Sequence, residues 1–240
     1  MKRELALQLY TLREETKDDF AGTLKRVAEV GYTKVEFAGF DDIPAERMAA
    51  LLKENNLAAC GAHIGIDQLE NETDEMLHYL KVIGCKNAVI PYATFSAKQD
   101  IDTLVERINK LLPKVKAAGL NLLYHNHAQE FEVVEGVRPI DVILQNTEVM
   151  LELDTFWTHT AGDDVFSFMR KNRARILMVH LKDGTNGNPC AIGEGTTPCK
   201  RIYDLARELN FTEIIVENDF PSPNGIEDMT RSMRYITNNF

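Results

Sequence analysis

Four side chains of the types that bind metal ions stand where four apolar segments end. The segments read LLYHNH, MLELD, ILMVH and EIIVE, and they carry His125, Asp154, His180 and Glu217 at or near their last positions. Two imidazoles and two carboxylates suit a borderline divalent ion such as Mn, Zn, Co or Fe, with Mg also a candidate, and suit Ca poorly. We therefore predict a metal centre made of these four residues.

Further polar and aromatic side chains follow the same segments. Because side chains alternate along a strand, residues two apart share a face, which places His127 with His125 and Lys182 with His180. The first, second and third apolar segments contribute Tyr10, Glu36 and His63 near their ends.

We assign these residues the following roles. Lys182 and His63 are candidate catalytic residues beside Glu217, and His127, Glu36 and Tyr10 are candidate substrate contacts. Trp157, in a predicted loop after Asp154, is expected to form an aromatic wall over the site and to contact the substrate.

Each of these residues also has a structural explanation. A histidine that ends a strand can simply hydrogen-bond within a loop, Asp154 can cap the next helix, and Glu217 can belong to a turn. Glu152 is expected to face inward one layer below Asp154, where a carboxylate is costly unless a neighbouring strand supplies a polar partner. The metal interpretation is preferred because all four ligand candidates would end strands on one rim.

The elements that must position these residues alternate along the chain. Eight strand-like runs are separated by amphipathic stretches with helix signals: LALQLY, KVEFAG, LAACGAHI, NAVIPYA, LNLLYHNH, VMLELD, ILMVHL and EIIVEN. This alternation predicts a single (β/α)8 barrel over residues 1–240, with its active site at the C-terminal ends of the strands. A doubly wound open sheet is the alternative, but the turn YTLREE after the first run lacks the glycines of a phosphate-binding turn.

Local signals also predict several helix boundaries. The first helix is expected from Asp18 to Val30, stopped by Gly31, and the fourth over 97–118 with a kink or restart at Pro113. Asp41–Asp42 followed by Pro44, and Thr197 followed by Pro198, are expected to open two more helices as a cap and a first-turn proline.

Composition excludes several classes of function. A formal net charge of −10 disfavours nucleic acid as a partner. The opening MKRELALQLYTLREETKDD is not typical of a signal peptide, and no run approaches the length of a membrane span, so a cytoplasmic protein without a membrane partner is expected. The four cysteines occur singly, which predicts neither a disulfide framework nor a zinc cluster.

Several motifs, taken in order, resemble a known family. YHNHAQEF, LDTFWTHTAGDD, HLKDG and GEGTTP…IIVEND are similar to the sugar phosphate isomerase/epimerase family of xylose isomerase-like TIM barrels, in the branch that carries YHNH and includes inosose dehydratase-like proteins. The resemblance implies a divalent metal held by Glu, Asp, His and Glu from the last four strands. By position, Asp154, His180 and Glu217 match, and His125 stands where the family has its first glutamate.

This departure bears on the reaction that the resemblance implies. Epimerases of the family use two metal-bound carboxylates on opposite faces of the sugar, so His125 disfavours 3-epimerisation and favours aldose–ketose isomerisation or β-elimination of water. Both reactions begin with removal of a proton next to a carbonyl, and a metal ion stabilises the resulting enediolate. We expect Glu217 to act as the base, and Lys182 to stabilise the oxyanion.

The remaining roles concern proton transfer and the substrate. His63 and His127 are candidates for the second proton transfer or for binding hydroxyls, and Glu130 is expected to orient His125 or His127. The glycine-rich loop 184–195 contains no Lys or Arg, which favours an unphosphorylated sugar or polyol ketone as substrate.

Two other classes of function stay open. An abasic-site endonuclease of the same superfamily would need more zinc ligands and basic loops, which the acidic balance and six histidines disfavour. A non-catalytic sugar-binding barrel is the second alternative. Analogy to the family suggests a homodimer.

Overall fold

The computed structural model describes residues 4–240, and eight parallel strands of this range form a closed barrel. Residues 1–3, which open the segment considered for a signal peptide, lie outside the described range. Each barrel strand pairs with its neighbours in the chain, and the last pairs with the first. The barrel strands are β1 (Ala6–Gln8), β2 (Lys34–Ala38), β3 (Ala58–His63), β4 (Asn87–Ile90), β5 (Asn121–His125), β6 (Met150–Asp154), β7 (Ile176–Leu181) and β10 (Glu213–Val216). The predicted (β/α)8 barrel is confirmed.

Helices follow the strands and surround the barrel. They are α1 (Arg13–Val30), α2 (Ala45–Glu54), α3 (Ile66–Asn71), α4 (Thr73–Val82), α5 (Lys98–Ala117), α6 (Pro139–Asn146), α7 (Thr155–Thr160), α8 (Val165–Lys171), α9 (Cys199–Glu208) and α10 (Gly225–Asn239). Two short strands, β8 (Asp183–Thr185) and β9 (Asn188–Cys190), form an antiparallel hairpin within the glycine-rich loop, where the sequence predicted no regular structure. Among these helices none is long and apolar enough to cross a membrane.

Two helix predictions needed correction, one at a boundary and one at an internal proline. The first helix begins at Arg13, five residues earlier than predicted, and non-helical angles at Asp19 (φ −154°, ψ 89°) interrupt it. The prediction, from Asp18 onward, had missed the first five residues of the helix. Gly31 ends the helix with φ 115°, as expected of a left-handed cap. The fourth predicted helix, α5, continues through Pro113 without a restart.

The predicted prolines lie just outside their helices. Pro44 and Pro198 precede the first residues of α2 and α9, and neither helix has a side-chain cap. Asp41 and Asp42 take positive φ angles of 48° and 56° in a turn, so they do not cap α2 as predicted.

The barrel interior is apolar at its floor and polar at its C-terminal end. A small cluster of buried side chains fills the floor: Ala6, Cys60, Val89, Leu123, Met178 and Ile215. The larger apolar core lies between the strands and the helices. All four cysteines are free thiols. The polar layer above the floor contains the candidate site.

Candidate metal centre

The four predicted metal ligands converge at the C-terminal end of the barrel. His125 and Asp154 end β5 and β6, His180 is the fifth residue of β7, and Glu217 follows β10 directly. The register pairs Asp154 with His180 across β6 and β7. One ligand atom from each residue lies within 4.8 Å of the other three, and all four residues are buried.

The donor atoms and the local charge fit a divalent cation. Ligands about 2.0–2.2 Å from one ion can be at most about 4.4 Å apart, so these atoms need little movement to share an ion. His180 Nδ1 lies 2.8 Å from Glu217 Oε2, and His125 Nε2 lies 3.8 Å from Asp154 Oδ2. The site holds the buried carboxyl groups of Glu36, Glu152, Asp154 and Glu217, the partly buried Asp219 and one lysine ammonium, so carboxylates outnumber the ammonium even where Glu36 is protonated. A divalent ion would offset this excess of negative charge.

Lys182 supplies that ammonium and is itself fully buried. Its Nζ lies 2.6 Å from Glu217 Oε2 and 2.9 Å from both Asp154 Oδ2 and Asp219 Oδ2. Burial lowers the pKa of Lys182, but the carboxylates outweigh burial and hold the pKa well above its ordinary value. In this arrangement the ammonium contacts three carboxylates, and its role at a substrate oxyanion stays a prediction.

Glu217 is strongly held as an anion. Burial raises its pKa, but Lys182 and His180 outweigh burial and bring the pKa well below its usual range. The side chain borders a cavity, as a ligand or base would. Its low pKa favours a role as a ligand over the predicted role as a base.

Glu36 lies below His180 and away from the cavity. Its Oε2 lies 2.7 Å from His180 Nε2 and accepts a hydrogen bond from Gln8 Nε2 at 2.9 Å. The strand pairing explains the contact between Gln8 and Glu36, because these residues lie directly opposite each other on β1 and β2. Burial, helped by the nearby Glu152 charge, raises the pKa of Glu36 to about 8. The geometry therefore favours a role for Glu36 in orienting the His180 ring over its predicted role in contacting the substrate.

Glu152 lies in the same deep layer and meets histidines from three strands. The sequence predicted a polar partner for Glu152 on a neighbouring strand, and the structure supplies two, His125 on β5 and His180 on β7. His63 reaches Glu152 from β3, across the barrel. Burial lowers the pKa of His63, but Glu36 and Glu152 outweigh burial and raise it overall.

A cavity of about 390 Å³ opens above this cluster. Of the predicted site residues, Tyr10, His63, His125, His127 and Glu217 border it. The other lining residues are Ala38, Gly39, Pro91, Tyr92 and Asp219. A groove of about 610 Å³ between α1 and α10 is larger, but it contains none of the predicted site residues.

Two lining residues, Tyr92 and Asp219, had no role in the sequence interpretation. Asp219 lies two residues after Glu217, the same spacing that links His125 with His127, and this pattern would have indicated it. Tyr92 follows β4, whose end carries no charged residue to mark it.

His127 and Trp157 form the aromatic side of the site. Their ring centroids are 6.0 Å apart, and Lys182 Nζ lies 5.8 Å from the centroid of the Trp157 ring. Burial lowers the pKa of His127 to about 4, so this imidazole is neutral at neutral pH. Within residues 4–240, His127 Nδ1 and Trp157 Nε1 are buried and have no hydrogen-bond partner. Trp157 lies in α7 and not in the predicted loop, because the Asp154 carboxylate caps that helix at the Trp157 amide.

The Glu130 carboxylate binds the Tyr124 hydroxyl and the His127 backbone amide. It accepts a hydrogen bond from each of these groups, both at 2.7 Å. Glu130 therefore meets His127 through the backbone amide, and its predicted role in orienting His125 or His127 stays a prediction.

The glycine-rich loop is organised around Asp183. The Asp183 carboxylate accepts hydrogen bonds from the backbone amides of Gly184, Gly193, Gly195 and Thr197 at 2.8–3.1 Å. These amides form the kind of nest that can bind a phosphate, and here the protein's own carboxylate fills it.

The chain belongs to the xylose isomerase-like TIM barrel family, whose model matches residues 24–238. Among curated proteins, an inosose dehydratase from Mesomycoplasma hyopneumoniae (strain 7448) is 26% identical over 229 residues, which covers 85% of this chain and 71% of that protein.

Solved structures share the fold at lower identity. A sugar phosphate isomerase/epimerase from Parabacteroides distasonis superimposes with a TM-score of 0.88 at 21% identity, covering 98% of each chain. The IolI protein, described with a bound zinc atom, superimposes with a TM-score of 0.78 at 15% identity, covering 98% of this chain and 97% of that one.

Proposed function

We propose that this protein is a divalent-metal-dependent enzyme that removes a proton next to the carbonyl of a small sugar or cyclic polyol ketone. The observation that carries the proposal is the convergence of His125, Asp154, His180 and Glu217 beside a cavity at the C-terminal end of the barrel. A bound divalent ion would act as a Lewis acid for the negative charge that develops on the substrate oxygen. The zinc described for IolI supports this choice of cofactor.

His63 is the best-placed group to accept the proton. Its ring borders the cavity, and its Nε2 lies 2.7 Å from Glu152 Oε2. A carboxylate behind an imidazole holds the ring in place and stabilises the cation that forms when the ring takes a proton. Glu217, with its lowered pKa, is the weaker base.

The second step is proposed to be elimination of water. Inosose dehydratases among the curated relatives support a lyase acting on a cyclic polyol ketone. His127 is proposed to contact the substrate hydroxyls, because its neutral ring borders the cavity and keeps Nδ1 unpartnered in the described part of the chain. Aldose–ketose isomerisation is the second candidate, since it shares the first step and uses the same metal ligands.

The substrate is proposed to be unphosphorylated. The amide nest in the glycine-rich loop is filled by Asp183, and Lys182 is held by carboxylates. Among the residues that border the cavity there is no lysine or arginine. Tyr10 and Tyr92 at the cavity suit the apolar faces of a sugar or polyol ring.

A proton-exchange assay tests the proposed function. The protein is purified without chelator, analysed for metal, and incubated in deuterated water with inososes, other polyol ketones and aldose–ketose pairs. We expect deuterium next to the carbonyl and loss of water from a polyol ketone, both abolished by chelator and restored by Zn²⁺ or Mn²⁺. Interconversion of an aldose and a ketose would favour the second candidate. Absence of exchange with every substrate, in protein that retains metal, would contradict the proposal.

His63→Gln tests the assignment of the base. We expect the exchange rate to fall about 10²–10⁴-fold, the range for loss of a general base, with metal content unchanged. His78→Gln is the matched control, because His78 lies exposed on α4. An exchange rate in His63→Gln equal to that of the control would return the role of base to Glu217.

A further inference from the structure

One oxygen of Glu152 is the meeting point of three imidazoles. Glu152 Oε2 lies 2.7 Å from His63 Nε2, 3.0 Å from His125 Nδ1 and 3.2 Å from His180 Nε2. Glu152 is fully buried, and its other oxygen, Oε1, is buried without a hydrogen-bond partner in residues 4–240. Such a carboxylate is costly in a barrel interior, so a compensating role is expected.

These contacts decide which ring nitrogens carry hydrogen. A neutral imidazole has one N–H and one lone pair, and a carboxylate can only accept. The nitrogens that face Glu152 must therefore be the donors. The lone pair of His125 then lies on Nε2, which faces Asp154. His180 faces carboxylates at both nitrogens, Glu36 and Glu152 at Nε2 and Glu217 at Nδ1, so both nitrogens can carry hydrogen until an ion takes the place of the hydrogen at Nδ1.

We propose that Glu152 is a positioning residue that selects the tautomers of His125, His180 and His63. It holds hydrogen on His125 Nδ1 and on Nε2 of the other two rings, so that the ligand lone pairs of His125 and His180 point toward Asp154 and Glu217. Glu36 assists at His180, where its Oε2 lies 2.7 Å from Nε2. This inference rests on the proposed metal-dependent function and adds the residue that orients two of the ligands.

A second metal ion in the deep layer is the competing interpretation. His63, His125, Glu152 and His180 also bring ligand atoms within 4.8 Å of one another. However, the deep group uses His125 Nδ1 and His180 Nε2, whereas the upper group uses the opposite nitrogen of each ring. Because a neutral imidazole has one lone pair, the two groups cannot both bind a metal through these rings. The deep group is therefore assigned to orientation.

Glu152→Gln tests the proposal with little change in volume. The amide has one acceptor oxygen, and its NH₂ group opposes the imidazole N–H groups, so at least one ring must reorient. We expect Zn²⁺ affinity, measured by competition with a chelator, to fall about 10–100-fold, as for other groups that orient metal ligands. Glu148→Gln is the matched control, since Glu148 is exposed just before β6 and should keep the affinity of the natural chain.

Histidine tautomers provide a readout that does not depend on activity. In protein labelled with ¹⁵N-histidine and loaded with Zn²⁺, long-range ¹H–¹⁵N spectra distinguish Nδ1–H from Nε2–H. Single histidine variants assign the signals. We expect Nδ1–H for His125 and Nε2–H for His63 and His180 in the natural chain, and a changed tautomer for at least one of them in Glu152→Gln.

The outcomes separate this proposal from the proposed function. If the natural chain shows Nε2–H at His125, the proposal is overturned whether or not Glu152→Gln folds. Unchanged affinity and tautomers in a folded Glu152→Gln would overturn it as well, although proton exchange by the natural chain would keep the proposed function. Two equivalents of Zn²⁺ bound to the natural chain, one of them lost in Glu152→Gln, would replace it with the second metal site.

Discussion

The buried ammonium of Lys182 compensates the negative charge of the carboxylates around it. Its ammonium lies within 2.9 Å of carboxylate oxygens from Asp154, Glu217 and Asp219, and it is fully buried. A buried ion pair adds little net stability over an apolar pair of the same shape, but removal of one partner leaves uncompensated charge. The contribution of Lys182 to the stability of the fold should therefore become measurable when the positive charge of this one side chain is removed.

Lys182→Met is expected to lower the free energy of unfolding by about 3–5 kcal/mol in the presence of chelator. Saturating Zn²⁺ should reduce this loss, because an ion held by Asp154 and Glu217 would supply positive charge to the same carboxylates. Urea denaturation with and without Zn²⁺ measures both values. Lys200→Met, at an exposed residue paired with Asp204, is the control and should change stability little. An equal loss with and without Zn²⁺ would contradict the expectation.

The cysteines differ in their expected reactivity. Burial raises the pKa of the Cys85 thiol to about 12 and that of Cys60 well above its ordinary value, and it raises the pKa of the less buried Cys190 to about 11. The thiolate is the reactive form, so all four thiols should be slow at pH 8. Mass spectrometry after treatment with iodoacetamide should find Cys190 modified first, and the others only after unfolding. Rapid labelling of buried Cys60 in the folded protein would contradict this.

At the scale of the element, the C-terminal end of each of the last four barrel strands, together with the residues that follow it, presents two polar side chains two residues apart. The deeper members are His125, Glu152, His180 and Glu217. The upper members are His127, Asp154, Lys182 and Asp219. Because alternation sends residues two apart to one face, each strand supplies polar groups at two depths. One strand end can thus contribute both a ligand and the group that orients or neutralises its neighbours.

The hairpin loop after β7 depends on the Asp183 carboxylate. Asp183→Asn keeps one acceptor oxygen and places an NH₂ group against backbone amides. Since hydrogen bonds to a charged group contribute about 1.5–3 kcal/mol each, we expect a loss of about 3 kcal/mol in the free energy of unfolding and faster proteolysis within 184–197. Asp204→Asn, at an exposed aspartate of α9, is the control for urea denaturation and limited proteolysis. Unchanged proteolysis of the Asp183 variant would show that other contacts order the loop.

At the scale of the whole molecule, closure of the barrel brings distant segments into one cluster. Glu36 and His180 are 144 residues apart in the chain, and their side chains are in hydrogen-bond contact. The predicted homodimer stays a prediction, which analytical ultracentrifugation can check. The acidic net charge of −10 remains an argument against a nucleic-acid partner.

Gly61 on β3 tests how tightly the interior is packed below the site. A methyl group at this position would overlap Glu36 Oε1 and approach Met178 Cε to 2.9 Å. We expect Gly61→Ala to lower the free energy of unfolding by about 1–3 kcal/mol, as overpacking does, and to weaken Zn²⁺ binding by displacing Glu36 from His180. Gly65→Ala is the matched control, because a methyl group there meets no atom within 4 Å. Equal stability and affinity in the two variants would contradict this view of the interior.

Much of the fold and of the candidate ligand set follows from local patterns in the sequence. Apolar runs of strand length, amphipathic helices and their punctuation recur eight times, and they predicted the barrel. The positions of His125, Asp154, His180 and Glu217 at strand ends followed from the same patterns, because the ends of parallel strands share a rim. The early start of α1 and the β8–β9 hairpin were missed, because neither has a strong periodic signal.

Tertiary structure decided which atoms face one another. The commitment of Lys182 to carboxylates, the place of Glu36 below His180, the filling of the amide nest by Asp183 and the contact of three imidazoles with Glu152 were not readable from the sequence. These contacts depend on strand register, the depth of each layer and closure of the barrel, which bring together residues far apart in the chain. A sequence pattern predicts which face of a strand a side chain lies on, whereas tertiary packing determines which residue that side chain contacts.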